Sequence, residues 1–348
     1  MKKIDNIFIR ESQPFIIAEV GVNHNGSIAR AKKMILAAKK AGADAVKFQT
    51  FKADELCTDN KQLFTYFSKG KKVTEPMIKM FKRLEFPDNV WKELSDFCKQ
   101  NKIIFFSSPQ NLSDLKVLNK LKVPAIKIGS DDFVNIPLLK DYRKFNLPII
   151  LSCGMSNIAE VYDALEAVDW FNGNSKIILM LCTSSYPTPP EEVNVNKLLT
   201  LKSAFPNLKL GFSDHTIGSS AAILALAHGA RVFEKHFTLS NNLSGPDHWF
   251  SENPISLKSW IGDIRTSYKM LGGFEIVPTK SEKKMKILAR RSIVTLCDIS
   301  KGEIFTKENI GFRRPGDGLK PIYFDAILGK KASKLIKKGH KIDFGDFV

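Results

Sequence analysis

The sequence predicts an α/β protein: an N-terminal (β/α)8 barrel over residues 1–271, a linker over 272–285 and a small β-rich unit over 286–348. Three observations carry this. Short apolar runs alternate eight times with longer amphipathic segments. The runs are apolar almost throughout, as strands of a helix-covered parallel sheet must be. After Leu271 the alternation stops, and Gly272, Gly273, Pro278 and a charge run take over. Eight units in about 270 residues suit a closed barrel better than an open doubly wound sheet. No GxGxxG follows the first strand and no Walker A motif occurs, which weakens a nucleotide-binding fold.

The units run in order. FIIAEVGVN precedes the helix SIARAKKMILAAKKAG, and DAVKFQT is followed by a lysine-rich excursion, about 52–86. The helix DNVWKELSDFCKQN leads to KIIFFSSP, then LSDLKVLNKL to PAIKIGS, and NIPLLKDYRKF to LPIILSCGM. IAEVYDALEAVDWF leads to KIILMLCTSSYP and NKLLTLKSAFP to LKLGFSDH. The helix in GSSAAILALAHGA joins that strand to RVFEKHF, and ISLKSWIGDIRTSYKML closes the series. Beyond the linker, SIVTL and KIDF read as strands around Lys-Gly turns and the stiff loop FRRPGDGLKP. A β-rich unit of about sixty residues is near the limit of independent stability.

The formal net charge of +17 raises the question of nucleic acid, but the lysines are spread through amphipathic segments. Neither zinc-finger spacing nor an aromatic RNA-binding motif accompanies them, so a solvated surface is expected, with no nucleic-acid partner and a field that gathers small anions. Five cysteines without CxxC spacing suggest reduced thiols in a cytoplasmic protein. MKKIDNIFIRESQPF is too polar for a signal peptide, and no apolar run reaches membrane-spanning length.

Side chains alternate along a strand, which gives the strands a second message. Glu19 lies on the face of Ile17, Gly21 and Asn23, and Lys47 shares one with Gln49. Lys127 sits in the middle of the fourth strand, Cys182, Ser184 and Tyr186 share a face of the sixth, and Glu234 and His236 one of the eighth. Charges inside apolar strands cost several kcal/mol unless paired. Lys47 or Lys127 could therefore simply pair with Glu19 or Glu234 to fill the barrel. The alternative is an active site at the C-terminal strand ends, where barrel enzymes place theirs. Ser107, Ser108, Ser130, Ser152 and Ser213 add hydroxyls around that rim, making a pocket suited to phosphate or carboxylate.

His215 and His236 each close a strand. If those strands are parallel neighbours their ends lie about 5 Å apart, close enough to grip one divalent metal. Asp247 and His248 return in the following turn, placed to orient a ligand or a bound water. Two ordinary, hydrogen-bonded histidines are the competing reading. Arg313 and Arg314, ahead of Pro-Gly, sit on a rigid loop suited to reaching a neighbouring site.

Together these motifs resemble the sialic acid (nonulosonic acid) synthase family. The matching pieces are IAEVGVNHNG (17–26), VKFQT (46–50), IKIGS (126–130), LSCGM (151–155), CTSSYPTP (182–189), GFSDHT (211–216), EKHFTL (234–239), GPDH (245–248) and RRPGDG (313–318). The resemblance implies a TIM barrel followed by an antifreeze-like SAF domain, in a domain-swapped homodimer. It implies condensation of phosphoenolpyruvate with an N-acetylated amino sugar and water, releasing phosphate by C–O cleavage. His215 and His236 correspond to ligands of a divalent cation, manganese first, with magnesium or cobalt as alternatives. Lys127, Ser108, Ser130, Ser152 and Ser213 resemble the phosphoenolpyruvate pocket, and Lys47, Ser184 and Tyr186 line the same cavity. Glu19 and Asp247 match carboxylates facing the sugar and the metal-bound water, and Arg314 an arginine offered across the dimer to the acylamino group. Position 184 is serine where several N-acetylneuraminate synthases carry asparagine, and the 60–86 part of the excursion offers no clear counterpart to a second asparagine. The acceptor thus stays open among N-acetylmannosamine, its 6-phosphate and a diacetamido sugar leading to legionaminic or pseudaminic acid. A metal-dependent aldolase using free pyruvate, and a basic barrel that binds polyanions without turnover, are more distant alternatives.

Overall fold

The structure is a computed structural model describing residues 7–9, 12–58 and 61–348. The chain divides into two compact units, one ending at Gly272 and one running from Gly273 to Val348. In the first, eight strands close into a barrel: β1 (Phe15–Gly21), β2 (Ala45–Thr50), β5 (Ile104–Pro109), β6 (Ile126–Ile128), β7 (Ile149–Ser152), β8 (Ile177–Cys182), β9 (Lys209–Asp214) and β10 (Val232–His236). Every neighbouring pair is parallel, and β1 seals the ring against both β2 and β10. All eight coincide with the apolar runs read from the sequence.

The strands are buried on both faces because helices cover the outside. The last of them, Pro254–Leu271, begins with a capping box between Asn253 and Ser256. It buries Leu257, Trp260, Ile261 and Ile264, the stripe that a 3.6-residue period places on one side. Ser27 caps the first helix, Ile28–Ala41, and Gly42 ends it at φ 101°, a left-handed value open to glycine without strain. No helix among the described residues is long and apolar enough to cross a membrane.

The excursion after β2 holds structure that its lysines concealed. β3 (Leu63–Ser68) and β4 (Lys71–Pro76) form an antiparallel hairpin, turned at Lys69 and Gly70, both at positive φ. The helix Met77–Leu84 follows, packing Met80 and Leu84 against Val22 and Phe51. In the second unit, β11 (Ser292–Thr295) pairs antiparallel with β12 (Ile310–Arg313) over a small core including Ile293, Phe305, Ile310 and Ile342. KIDF, expected as a strand, instead contributes a single bridge, from Lys341 to Val294. The helix Lys280–Ala289, which has no buried residue, takes up the end of the expected 272–285 linker and the first residues of the unit expected to be β-rich.

Two histidines are built into the first unit as neutral packing groups. His24 stacks on Phe86 at 4.1 Å, and its Nδ1 accepts from the backbone N–H of Gly26. Burial, then the nearby Arg30 and His248, lowers its pKa to about 3, and burial likewise lowers that of His248 to about 4. On unfolding both regain ordinary values, so below about pH 6.5 the unfolded chain binds more protons and stability falls with pH. Each group contributes about 1.4 kcal/mol per pH unit to that slope, down to its folded pKa. His24→Gln is therefore expected to flatten the fall of the urea midpoint between pH 6.5 and 4, and an unchanged slope would refute this.

Candidate active site

The C-terminal ends of the barrel strands open into a cavity of about 760 Å³. Glu19, Lys47, Ser108, Lys127, Ser130, Ser152, Ser184, Tyr186, Ser213, His215, His236 and Asp247 all line it. Two residues expected with them are not in its lining: Ser107 Oγ is buried against Thr50 Oγ1 at 2.7 Å, and His248 Nδ1 against Thr238 Oγ1 at 2.6 Å. Arg314 lies in the second unit, exposed, in a loop whose Arg314–Pro315 bond is cis.

The floor is a chain of four charges, all nearly inaccessible to solvent. Lys47 Nζ lies 2.9 Å from Glu19 Oε2 and 3.5 Å from Glu234 Oε2, and donates to Ser108 Oγ at 3.2 Å. Lys127 Nζ lies 3.6 Å from Glu234 Oε1 and donates to Ser152 Oγ at 2.6 Å. Glu234 also accepts from Ser213 Oγ, across the register pair that joins β9 to β10. The carboxylates diverge. Burial opposes ionisation of Glu234, yet Lys127 and Lys47 outweigh it and hold the pKa low. At Glu19 burial wins over Lys47 and, with the neighbouring Glu234, pushes the pKa up. Lys47, flanked by both carboxylates, stays protonated despite burial, whereas burial lowers the pKa of Lys127. Two ammonium groups against one firm carboxylate leave this floor with a surplus of positive charge, the electrostatics an anion needs.

Ser130 and Ser184 converge on Gly154. The N–H of Gly154 donates to Ser130 Oγ at 3.1 Å, and a Cβ on that glycine would come within 2.5 Å of both hydroxyls. Only a residue without a side chain lets the three meet.

The ring centroids of His215 and His236 are 5.4 Å apart. His215 Nδ1 donates to the carbonyl of Thr183 at 2.8 Å, which leaves Nε2 as the ring's lone-pair donor. Burial pulls its pKa down, but Cys182 and the Thr183 carbonyl raise it on balance. His236 is neutral, held well below its usual value by burial and then by His215. Its buried Nδ1 has no hydrogen-bond partner and lies 3.8 Å from Asp247 Oδ2. Burial raises Asp247 to about 6. Two imidazoles, one with an orphaned buried nitrogen, and an adjacent carboxylate fit a divalent cation that accepts nitrogen and oxygen ligands. A different cluster, His340, Asp343 and Asp346 in the second unit, already holds ion pairs of its own. His340 bonds Asp346 at 2.7 Å and Lys334 lies 2.8 Å from the same carboxylate.

Sequence reasoning missed the cavity's outer wall. Phe67 from the hairpin packs on Trp249 at 5.5 Å, Trp249 on Phe250 at 5.6 Å, Phe250 on Tyr186 at 5.1 Å and Tyr186 on His215 at 4.1 Å. The only usable signal was the alternation in LFTYFS, which the following KGKK obscured. Glu234 was read as a partner for a lysine and stands at the centre of the floor, touching both.

A parallel eight-stranded barrel with a cationic floor and a histidine pair at adjacent strand ends defines a class of anion-handling, cation-assisted enzyme. Comparison with known proteins makes this specific: residues 34–275 match the NeuB family and residues 290–348 the SAF domain. The chain belongs to the NeuB family. It is 41% identical to the N,N'-diacetyllegionaminic acid synthase of Campylobacter jejuni over 94% of this chain and 98% of that one. The synthase of the same name from Legionella pneumophila is 38% identical over 97% of this chain and 96% of that one. The crystal structure of N-acetylneuraminic acid (sialic acid) synthetase from Leptospira borgpetersenii, in complex with citrate, superposes with a TM-score of 0.70 at 32% identity, covering 78% of this chain and 90% of that one.

Proposed function

We propose that this chain condenses phosphoenolpyruvate with an open-chain 2,4-diacetamido sugar and water, giving N,N'-diacetyllegionaminic acid and phosphate. The observation that carries the reaction class is the four-charge floor beside the histidine pair. The acceptor rests on the Campylobacter and Legionella relatives. A cavity whose two cations both sit on the floor, beneath a wall of aromatic rings, also supports an acceptor without a phosphate of its own.

Lys127, with Ser130, Ser152 and Ser213, holds the phosphate side of phosphoenolpyruvate, and Lys47 with Ser108 neutralises the remaining charge. His215 and His236 hold the divalent cation, manganese first, which when bound supplies Lewis-acid polarisation of the sugar aldehyde. Tyr186, packed on His215, and Ser184 fix the sugar against that carbonyl. C3 of phosphoenolpyruvate forms the new C–C bond to C1 of the sugar, leaving positive charge at C2 that the ionised Glu234 stabilises. Water adds at C2, and its proton passes by way of Asp247, whose raised pKa suits proton exchange near neutrality, to the alkoxide left on the former aldehyde oxygen. The bond from C2 to the bridging oxygen then breaks, its electron pair leaving with phosphate, which takes the C2 hydroxyl proton as the ketone forms and stays with Lys127 until release.

Incubating phosphoenolpyruvate with N-acetylmannosamine, its 6-phosphate and the diacetamido sugars, with products identified by mass, tests both parts. No phosphate release with any acceptor would overturn the reaction. Turnover confined to the 6-phosphate would overturn the acceptor. Arg314 is assigned to the acylamino group of the sugar in a partner's barrel, within a domain-swapped homodimer. Arg314→Ala should then raise the sugar KM with little change for phosphoenolpyruvate, and mixing it with His236→Ala should restore activity through hybrid dimers. Absence of rescue would count against a shared site.

A further inference from the structure

The two imidazoles face the cavity, and the residues just before them face the other way. Asp214 on β9 and Lys235 on β10 are register partners, each one position ahead of a histidine. Both are buried, at 1% and 2% exposure. Lys235 Nζ donates to Asp214 Oδ2 at 2.8 Å and to the carbonyls of Thr216 at 2.5 Å and Gly218 at 3.4 Å. Asp214 Oδ2 accepts a further bond from Trp260 Nε1 at 3.1 Å, and Oδ1 accepts from both the N–H and the hydroxyl of Thr216 at 2.8 Å. The ammonium lies 5.7 Å from the Trp260 ring centroid and 3.8 Å from Glu252 Oε1.

These contacts enclose His215. The residue before it and the three-residue stretch after it, Thr216 to Gly218, converge on one ammonium, which is anchored immediately ahead of His236. The inner side is tied as well: the carbonyl of His215 accepts from Thr188 N–H, and that of His236 from Glu252 N–H. A buried ion pair offers little net stability over an apolar pair of equal size. Its distinctive contribution is direction, because six hydrogen bonds among eight polar atoms must keep their geometry for it to be satisfied.

We propose that Asp214 and Lys235, backed by Trp260, are positioning residues that set the separation and orientation of His215 and His236, and with them the affinity for a divalent cation. This rests on the metal role of the histidine pair. The test is Mn²⁺ binding to the full chain, followed by the electron paramagnetic resonance signal of free Mn²⁺, for wild type, Lys235→Met, Asp214→Asn, the double variant and His236→Ala. Loss of the outer partners of metal ligands typically costs about 10- to 100-fold in affinity. A rise of that size in Kd is expected for each single variant, with the double variant no worse than the weaker single. Leu198→Ala, a fully buried helix residue that does not line the cavity, provides a destabilised control that should keep the wild-type Kd. A folded clasp variant with wild-type Kd, or a control that loosens Mn²⁺ equally, overturns the clasp alone. Wild-type binding that survives His236→Ala overturns the metal role and the clasp together. The double variant, neutral and close in volume, carries the measurement if a single variant fails to fold.

Discussion

His236→Ala is expected to lower kcat/KM by about 10³-fold, the equivalent of about 4 kcal/mol of transition-state stabilisation supplied by a Lewis acid. The fold should survive the change. His236 ends β10, its backbone carbonyl is held by Glu252 N–H, and its Nδ1 makes no hydrogen bond that alanine would leave unsatisfied. Thermal midpoints of the metal-free proteins should therefore nearly coincide, while the midpoint rise on adding Mn²⁺ should appear in wild type alone. Near-wild-type turnover by the variant in thoroughly chelated buffer would end the case for a cation at this position.

The second large effect belongs to Lys127→Met. Methionine fills much the same volume, and Glu234 keeps an ammonium 3.5 Å away in Lys47, so the barrel retains a paired carboxylate and should fold. What disappears is the bond to Ser152 Oγ and half of the floor's positive charge. A removed charge-stabilising donor costs about 10²–10³ in rate, so kcat/KM for phosphoenolpyruvate should drop by that factor or more. The change should fall on the phosphoenolpyruvate terms, with the sugar KM little moved. Equal damage to both substrates would mean that Lys127 supports the whole cavity and has no special relation to the phosphate.

The barrel was legible because burial on both faces forces strands to be apolar along their length, and runs such as KIILMLC and PFIIAEV have no other use. The histidine pair was legible for a similar reason: two strands joined by one short helix must lie side by side, so their ends meet. Other features depend on partners distant in sequence. Nothing near Lys47 reveals that Glu19 and Glu234 both reach it, because the barrel closes β1 onto β10 only in three dimensions. The hairpin was hidden by Lys69, Lys71 and Lys72, which look like a solvated loop until Thr65 bonds Thr74 and Tyr66 bonds Glu75 across the ladder. The helix at 280–289 lacks a buried face, so periodicity had nothing to detect. Asp214 and Lys235 face away from the cavity, and their pairing across 21 residues depends on the register of two strands.

The hairpin forms its own two-stranded sheet, apart from the closed ring of β1, β2 and β5 to β10. Its loop can lengthen, shorten or exchange its rings without shifting the register that brings the imidazoles together. In the proposed reaction, bond making and substrate choice are therefore carried by separable pieces of backbone. Transplanting residues 63–76 from a synthase with another sugar preference is the economical way to redirect this one, leaving the chemistry below intact.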